Sequence, residues 1–487
     1  MWGRRIPIAG RAMNQYDFLI AGAGPCGIGA AWTLINEFPN QRFQMIDPGV
    51  HPGGCAASEV TPEGFVFDCG GHVLFPHQEF TEFRDMLESI GCEWNQSLPV
   101  RGVYLHGRLI PAPVQRNVHR LPASELLPIL GDLLILRMRR WFPAASEDRL
   151  RERQESLEDF LKSEFGDQLT RRVMGPLNRK MWALAPSEMS SAWVKERSGS
   201  QLHNVPRVSV RRLVKQSLLK VDDPAWRSAA SVRYPATGGT GSIWTKATAY
   251  LGLDQIRLRT EILEIEANRR TVLLGDGSRL KYSRLFSTIP LDVLLKRIVD
   301  CPDLQTLGLG LRKSSALLFG FGIRGRIPKR YSDVHTFQCP ETHIPFWRVT
   351  IPSNVAPRNV PDSEYYSILC EISLPSVENI TISDQLREQV VNGLCETGLL
   401  AKDSLIVSTF ERALPHGYPL PFMGRDELLS IIHHKLLSID IVSRGRFGGW
   451  RYEVSNQDHA FTQGVEAIKF LASGIPEKNY IPTRILN

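Results

Sequence analysis

A glycine motif near the amino terminus constrains the fold of this chain more than any other feature. An apolar run at residues 16–21 precedes the motif, and a helical pattern, IGAAWTLI, follows it. Its three glycines are Gly22, Gly24 and Gly27. This order predicts a strand, a tight turn and a helix, as in a dinucleotide-binding unit. There the first glycine makes the turn, the second admits a pyrophosphate against the backbone, and the third allows close packing of helix on strand.

An acidic residue supports the same interpretation. Asp47 follows the second predicted strand, residues 42–46. An acid at this place accepts hydrogen bonds from the ribose hydroxyls of a bound dinucleotide. Because strand, turn, helix and acid agree, the motif favours dinucleotide binding over a set of purely structural glycines.

Later glycine pairs favour FAD over NAD as the dinucleotide. Gly53 and Gly54 follow the second strand, Gly70 and Gly71 follow the letters FDC, and residues 238–241 read GGTG. This arrangement resembles the amine-oxidase-like flavoproteins, in which paired glycines bring backbone against the pyrophosphate and the isoalloxazine. An enzyme that binds only NAD has no need of these later loops.

Composition limits the other classes of protein. The chain has 487 residues, of which 43% are hydrophobic and 22% charged, so we expect a folded protein of two or three lobes. The net charge of +7 is spread along the chain, and we expect no nucleic-acid partner. The most apolar run, residues 126–138, is too short to cross a bilayer and contains Gly131 and Asp132. We therefore expect no membrane partner.

The cysteines and histidines favour a cytoplasmic protein without a metal site. The eight cysteines are scattered and form no CxxC pair, a pattern typical of reduced thiols. The twelve histidines include no HExxH.

We predict an α/β fold with a Rossmann-like FAD-binding domain, a helical insertion and a sheet-containing substrate domain. The discontinuous FAD-binding domain takes residues 13–105, 234–300 and 405–480. Amphipathic segments predict a helical domain at 118–220, in which Ser156 and Asp159 have the spacing of a helix N-cap. Alternating segments predict an antiparallel sheet at 305–400. Residues 1–12 are expected to form an N-terminal tail.

Five segments together resemble the eukaryotic-type UDP-galactopyranose mutases. They are residues 61–77, 178–197, 234–244, 415–421 and 443–461, and the last reads SRGRFGGWRYEVSNQDHAF. The resemblance implies an isomerase that converts a nucleoside-diphosphate pyranose to its furanose without net redox change. It also implies that FAD must be reduced, because its N5 atom attacks the sugar and forms a covalent adduct. NAD(P)H is the implied external reductant.

The resemblance also assigns residues to the site. Arg197 and Arg348 match two arginines that bind the diphosphate, and His72 matches a histidine of a mobile loop beside the flavin; these three are the predicted catalytic residues. The predicted substrate-binding residues are Gln115, Asn178, Trp182, Arg197, Arg348, Tyr418, Tyr452 and Asn456. The predicted cofactor-binding residues are Gly22, Gly24, Cys26, Gly27, Asp47, Gly54, Ser58, Gly70, Gly71, His72, Gly239, Ile262, Arg446, Asn456 and Gln457.

The chain departs from this family at the nucleobase end of the site. Ala112 and Val114 stand where the family has an aromatic that stacks on uracil and a nearby phenylalanine. Gln338 and Val355 replace two tyrosines near the diphosphate. Because a stacked aromatic contributes about 1–3 kcal/mol to base binding, a nucleotide sugar other than a UDP-sugar, in specialised metabolism, stays open as the substrate.

Two other functions stay open on the sequence. A redox flavoenzyme of the same superfamily, an oxidase or a desaturase, would use FAD to accept hydride, and the two diphosphate arginines argue against it. A flavin-bound interaction protein would need no catalytic groups, and the retained His72, Arg197 and Arg348 argue against that. The sequence indicates neither the base, the sugar nor the oligomeric state.

Overall fold

The computed structural model describes residues 14–74, 79–98, 100–141, 155–194, 210–223, 231–252 and 255–480. The predicted tail at residues 1–12 and the predicted catalytic residue Arg197 lie outside these ranges. No helix in the described ranges is both long and apolar enough to cross a bilayer. The same ranges contain no cluster of three or more His, Cys, Asp or Glu side chains that could hold a metal ion.

The described residues form runs of strands separated by one or more helices. The strands are β1 (Gln15–Ala21), β2 (Phe43–Ile46), β3 (Ser58–Val60), β4 (Val66–Asp68), β5 (Trp94–Ser97), β6 (Arg101–Leu105), β7 (Arg108–Pro111), β8 (Val232–Pro235), β9 (Ile256–Arg257), β10 (Ile262–Glu266), β11 (Thr271–Leu274), β12 (Arg279–Ser287), β13 (Lys313–Arg324), β14 (Thr336–Gln338), β15 (Arg348–Thr350), β16 (Tyr365–Pro375), β17 (Leu405–Pro419) and β18 (Ile441–Ser443). The helices are α1 (Pro25–Glu37), α2 (Thr81–Ser89), α3 (Ala123–Trp141), α4 (Leu157–Leu169), α5 (Gly175–Trp182), α6 (Val210–Leu219), α7 (Gly241–Leu251), α8 (Leu291–Arg297), α9 (Pro302–Gly308), α10 (Pro352–Val355), α11 (Asp384–Glu396), α12 (Arg425–Leu437) and α13 (Gln457–Ser473).

The first sheet carries the dinucleotide motif. Its strand order is β10-β11-β12-β1-β2-β9. Strand β18 pairs with the carboxyl end of β12, on the edge opposite β1. Strands β1, β2, β9, β12 and β18 run parallel. Phe18, Leu19 and Ile20 in β1 are fully buried, as expected for a parallel strand that is covered on both faces. The predicted Rossmann-like domain is confirmed.

Two helices pack very closely behind the glycine motif. A Cβ on Gly29 of α1 would lie 2.1 Å from the carbonyl oxygen of Phe461 in α13. A Cβ on Gly464 of α13 would lie 2.0 Å from the carbonyl oxygen of Cys26 in α1. The absence of a side chain at these two positions lets the helices touch backbone to backbone.

The second sheet has the order β17-β13-β16-β15-β14-β6-β7 and is antiparallel except between β14 and β6. This confirms a sheet-containing domain but corrects two predicted boundaries. Residues 101–105 and 405–419 were assigned to the FAD-binding domain, yet they form β6 and β17 of this sheet. The reason is pairing over long sequence distances, since β17 lies along β13 from Arg324↔Leu405 to Lys313↔Pro419.

Helices α3 to α6 form an insertion between β7 and β8. Helix α4 begins as the sequence predicts, because the Oγ atom of Ser156 accepts a hydrogen bond from the Asp159 N–H at 3.1 Å. The apolar faces of α3, α4 and α5 share one buried cluster that includes Leu133, Phe165 and Trp182. The predicted helical insertion is therefore present.

Candidate active site

A cleft of about 1770 Å³ is lined by residues of both sheets. One row of paired residues crosses the second sheet and lines the cleft, in the order Val103, Gln338, Arg348, Glu371, Leu318 and Arg412. The glycine turn after β1 lines the same cleft from the other side. The dinucleotide motif and the predicted diphosphate arginine therefore share one cavity.

Most predicted site residues within the described ranges line this cleft. They are Gly22, Gly24, Cys26, Asp47, Gly54, Ser58, Gly70, Gly71, His72, Gln115, Ile262, Arg348, Tyr418, Arg446, Tyr452, Asn456 and Gln457. The predicted residues Gly27, Asn178, Trp182 and Gly239 are outside its lining.

Each glycine of the turn has its own steric reason. Gly22 has a φ of +112°, and a Cβ there would lie 2.0 Å from the Oγ1 atom of Thr288. A Cβ on Gly27 would lie 1.9 Å from the Gly22 carbonyl oxygen, so only glycine fits where α1 packs against the turn. At Gly24 the nearest atom to a Cβ, the Gly53 carbonyl oxygen, is 3.9 Å away. Gly24 thus leaves backbone open to a ligand in the cleft.

The Asp47 carboxylate holds the glycine turn by hydrogen bonds to the backbone. Its Oδ2 atom accepts a hydrogen bond from the Ala23 N–H at 2.7 Å, and its Oδ1 atom accepts one from the Gly49 N–H at 2.6 Å. Burial raises the pKa of Asp47, and the two backbone bonds oppose that shift. Each carboxylate oxygen keeps a further lone pair for a ligand hydroxyl.

Asp68 connects two of the predicted cofactor loops and was missed by the sequence reasoning. Its carboxylate accepts hydrogen bonds from the Ser58 hydroxyl at 2.5 Å, the Tyr234 hydroxyl at 2.8 Å and the Thr240 N–H at 3.0 Å. A Cβ on Gly239 would lie 2.4 Å from the Asp68 Oδ1 atom. Burial raises the pKa of Asp68 to about 6, against these hydrogen bonds. Gly239 is therefore placed behind the cleft wall by its contact with Asp68.

Arg348 forms a bidentate ion pair with Glu371 that the sequence did not predict. Its Nε and Nη2 atoms donate to the two carboxylate oxygens of Glu371 at 2.7 and 2.6 Å, and its guanidinium lies 4.5 Å from the Trp347 ring centre. Burial disfavours the charge on Arg348, but Glu371 outweighs it and the pKa of Arg348 is raised. The available signal was an acid inside an otherwise apolar strand, YYSILCEI.

The same carboxylate holds the loop that carries His72. Glu371 Oε1 accepts a hydrogen bond from the Gly71 N–H at 2.9 Å. A Cβ on Gly71 would lie 2.6 Å from the Thr350 Oγ1 atom and 3.3 Å from the Arg348 Cζ atom. Glycine is therefore required at 71 by the packing of the ion pair, and the positions of loop and arginine are coupled.

His72 is held neutral in the cleft wall. Burial, followed by the positive charges of Arg446 and Arg348, lowers its pKa to about 3. Its Nδ1 atom and the Thr350 Oγ1 atom are buried and have no hydrogen-bond partner among the described residues. Because buried polar groups are rarely left unpaired, these two atoms fit a site in which a ligand completes their hydrogen bonds.

Aromatic rings surround the second cation of the cleft. The Arg446 Cζ atom lies 5.3 and 5.2 Å from the ring centres of Tyr418 and Tyr452. Among the described residues no carboxylate forms an ion pair with Arg446, so its charge is available to an anion in the cleft. Trp182 lies behind these tyrosines, 4.8 Å from the Tyr452 ring and 5.6 Å from the Tyr418 ring.

Two predicted substrate contacts on α5 therefore have other neighbours. Trp182 is fully buried and supports the two tyrosines instead of lining the cleft. The Asn178 amide donates to the Met174 carbonyl oxygen one turn back at 2.8 Å. The two residues share a face of α5, as their spacing predicts, but Met174 and Leu177 are the residues near this helix that line the cleft.

The N-terminus of α13 reaches the cleft. Asn456 is the N-cap residue, its side chain makes no capping hydrogen bond, and both Asn456 and Gln457 line the cavity. Gln457 is fixed by a 2.9 Å hydrogen bond from the Trp244 indole N–H to its side-chain oxygen. The free N–H groups of a helix N-terminus favour a negative or strongly accepting ligand group.

The outer end of the cleft is lined by Ala112, Val114 and Gln115, next to Gln338 and Val355. Gln115 is only 6% exposed, and its amide makes no hydrogen bond to the described residues. Gln338 stands opposite Arg348 in the β14–β15 register. A polar amide and small apolar side chains thus occupy the positions at which the resemblance expects aromatic rings.

The residues present fit a flavin dinucleotide. The open backbone at Gly24 and the carboxylate of Asp47 suit the adenosine diphosphate half. The unpartnered His72 and Thr350 atoms, Arg446 and the first turn of α13 line the remainder and suit a polar ring system with hydrogen-bonding edges.

The comparisons with known proteins agree with this geometry. Residues 20–90 match the family described as an NAD(P)-binding Rossmann-like domain. A crystal structure of reduced UDP-galactopyranose mutase is 32% identical with a TM-score of 0.87, and the match covers 96% of this chain and 97% of that one. Cyclohexylamine oxidase from Brevibacterium oxydans shares the fold, with 15% identity, a TM-score of 0.63 and coverage of 94% and 98%.

A shorter match concerns a curated protein. Thiamine thiazole synthase from Phaeosphaeria nodorum is 45% identical over 42 residues, which are 9% of this chain. The match spans only 13% of the length of that relative.

Proposed function

This chain belongs to the UDP-galactopyranose mutase family, and from that premise we propose that it is a flavin-dependent isomerase that converts a nucleoside-diphosphate pyranose to its furanose. The observation that carries the proposal is the single cleft in which a dinucleotide turn, Arg348, Arg446 and two tyrosines meet. A hydride-accepting oxidase has no evident use for paired cations and phenols of this kind.

We assign FAD to the cleft, with the turn at Gly22 and Gly24 and the carboxylate of Asp47 around its adenosine diphosphate half. When bound and reduced, FAD would supply the nucleophile for the anomeric carbon. NAD(P)H is the proposed reductant. Arg446 would stabilise the negative charge of a reduced flavin, because its guanidinium has no acidic partner among the described residues.

Arg348 is proposed to bind the departing diphosphate. Its Nε and Nη2 atoms are engaged by Glu371, while Nη1 has no acceptor among the described residues and can donate to a phosphate oxygen. Tyr418 and Tyr452 flank the same space with phenol groups. Charge-assisted hydrogen bonds of this type are the strong ones in proteins. Arg197 is proposed as the second diphosphate arginine on the resemblance alone.

His72 is proposed to act as a neutral hydrogen-bonding group. An imidazole with a pKa of about 3 carries no proton to give as imidazolium at neutral pH. Its place next to Gly71 ties it to the Arg348–Glu371 pair. It can therefore orient sugar or flavin by a hydrogen bond, and its position responds to the group that holds the diphosphate.

The nucleobase is proposed to bind without the stacking ring that the resemblance expects. Ala112 and Val114 offer no such ring, so one source of base affinity is missing, and the proposed substrates are nucleotide sugars of uracil or of another base. Gln115 remains as a buried amide that can read a base edge.

The test measures the affinity of the reduced protein for UDP, dTDP and GDP. The flavin content of each variant is then measured by absorbance. One of the three is expected to bind best and to lose about tenfold to a hundredfold in affinity in Arg348→Ala, with the flavin content unchanged. Arg312→Ala is the matched control, because its side chain is 45% exposed and pairs with Glu188 outside the cleft. Equal affinity of Arg348→Ala and the unchanged protein for every nucleotide would contradict the assignment.

A further inference from the structure

A lysine on α5 is enclosed by backbone oxygens. The Nζ atom of Lys180 lies 2.8 Å from the carbonyl oxygens of Cys339, Glu341 and Ile344, and 2.7 Å from that of Phe346. All four oxygens belong to the segment between β14 and β15. Neither the predicted site residues nor the proposed reaction gives this lysine a role.

The arrangement depends on a positive charge. An ammonium group has three hydrogens, so four carbonyl oxygens around it are held partly by the charge itself. Burial lowers the pKa of Lys180 to about 8, against the influence of Cys339 and Glu341, so the group still carries its proton at neutral pH. Without the cation, four carbonyl oxygens would point at one another with no donor, and unpaired buried acceptors are costly.

The enclosed segment determines where two cleft residues lie. It begins after Gln338 and ends before Arg348, which are paired across β14 and β15 and both line the cleft. The Cys339 N–H donates to the Trp347 carbonyl oxygen at 2.8 Å, and the Trp347 ring packs against the Arg348 guanidinium. The fold of residues 339–347 therefore sets the start of the strand that carries Arg348.

Helix α5 also supports the two tyrosines that flank the proposed diphosphate site, Tyr418 and Tyr452. Trp182, two residues after Lys180, packs against the rings of Tyr418 and Tyr452. Helix α5 thus contacts the tyrosines through Trp182 and the Arg348 hairpin through Lys180. A single short helix fixes the two groups relative to each other.

We propose that Lys180 is a positioning residue: its ammonium group clamps residues 339–347 onto α5 and so holds Arg348 facing Tyr418 and Tyr452. The identity of the ligand in this space rests on the proposed function, while the clamp itself does not.

The clamp is tested first without any ligand, by hydrogen exchange in Lys180→Met, which keeps an unbranched side chain as far as Cε and removes the ammonium group. Amides in residues 339–347 should exchange at least about tenfold faster, while those of β1 and α13 keep their rates. Arg179→Met, an exposed charge on the same helix, is the matched control and should leave residues 339–347 unchanged. Unchanged exchange in Lys180→Met would overturn the proposal.

The effect on Arg348 is tested by a double-mutant cycle with UDP as the probe, or inorganic pyrophosphate where UDP does not bind the unchanged protein. Lys180→Met alone should weaken binding about tenfold and should have no further effect in the Arg348→Ala background, because the lysine acts through the arginine. Additive losses would identify a general structural role and overturn the proposal.

Lys180→Gln is the second substitution of this lysine, used if Lys180→Met does not fold. Lys180→Gln retains two N–H donors for the four oxygens but no charge, so residues 339–347 should exchange faster in it than in the unchanged protein. Exchange as slow as in the unchanged protein would show that no charge is needed and would overturn the proposal. If none of UDP, dTDP, GDP and pyrophosphate binds the unchanged protein while residues 339–347 exchange faster in Lys180→Met, the clamp stands and the proposed function fails.

Discussion

Arg348 and Gly71 illustrate how much of a site depends on single partners. The sequence indicated Arg348 through its resemblance to a family arginine, but it gave no sign that Glu371 holds Arg348 and the Gly71 N–H together. The three residues are 300 positions apart in the chain at most, and no local pattern encodes such a contact. Trp182 is the converse case, since its spacing predicted the correct helix face but not that two tyrosines stand between it and the cleft.

At the residue scale we predict that His72 stays neutral from pH 5 to pH 8. Its pKa is lowered from 6.5 to about 3, because burial and then Arg446 and Arg348 disfavour the imidazolium. An unfolded chain takes up this proton and the folded one does not, so the contribution of His72 to stability is complete above pH 6.5 and is lost as the pH falls toward 3. The measurement is a pH titration of the imidazole nitrogen shifts by NMR.

The control for this prediction is His72→Asn, in which the assigned signal should vanish and the remaining histidine signals should stay. A His72 titration midpoint between pH 6 and pH 7 would contradict the electrostatic description of the cleft wall.

At the element scale, the strand–turn–helix unit could be predicted because its signals are local. Apolar runs, glycine spacing and the acid after β2 all lie within residues 16–47. The limits of the second sheet could not, since β6 joins β14 from more than two hundred residues away and β17 joins β13 across a segment that contains β14, β15 and β16. Strand pairing of this kind depends on the whole chain, which is why the boundaries at 105 and 405 were wrong.

The contact between α1 and α13 gives the element-scale prediction. Gly464→Ala would place a Cβ 2.0 Å from the Cys26 carbonyl oxygen, and backbone on both sides leaves little room to relax. We expect a loss of at least about 1–3 kcal/mol in the free energy of unfolding. The flavin content should also fall, because residues at the start of both helices line the cleft. Thermal unfolding and the flavin-to-protein absorbance ratio provide the measurement.

Gly131→Ala is the matched control for that variant. Gly131 lies inside α3, and no atom stands within 4 Å of its Cβ position. Alanine there should be neutral or should stabilise the protein by about 0.5–1 kcal/mol. Equal stability of Gly464→Ala and Gly131→Ala would contradict the close packing of α1 on α13.

At the scale of the whole molecule, the cleft joins a dinucleotide side to a side that carries Ala112, Gln115 and Gln338. The dinucleotide side contains the glycine turn and Asp47, whose sequence signals are local. The other side is lined by residues of β6, β14 and the segment at 112–115. We therefore propose that the chemistry depends on the dinucleotide side and that the choice of nucleotide depends on the other side.

Isomerisation by reduced flavin without net redox change is tested by the mass and redox balance of turnover. The protein is reduced anaerobically with one equivalent of dithionite per flavin and incubated with a panel of UDP-, dTDP- and GDP-hexopyranoses. We expect a product of the same mass as its substrate, many product molecules per flavin, and a flavin that is still reduced at the end. The oxidised protein is incubated with the same panel in air, and a product two mass units lighter, formed there with one acceptor consumed per turnover, would contradict the isomerase.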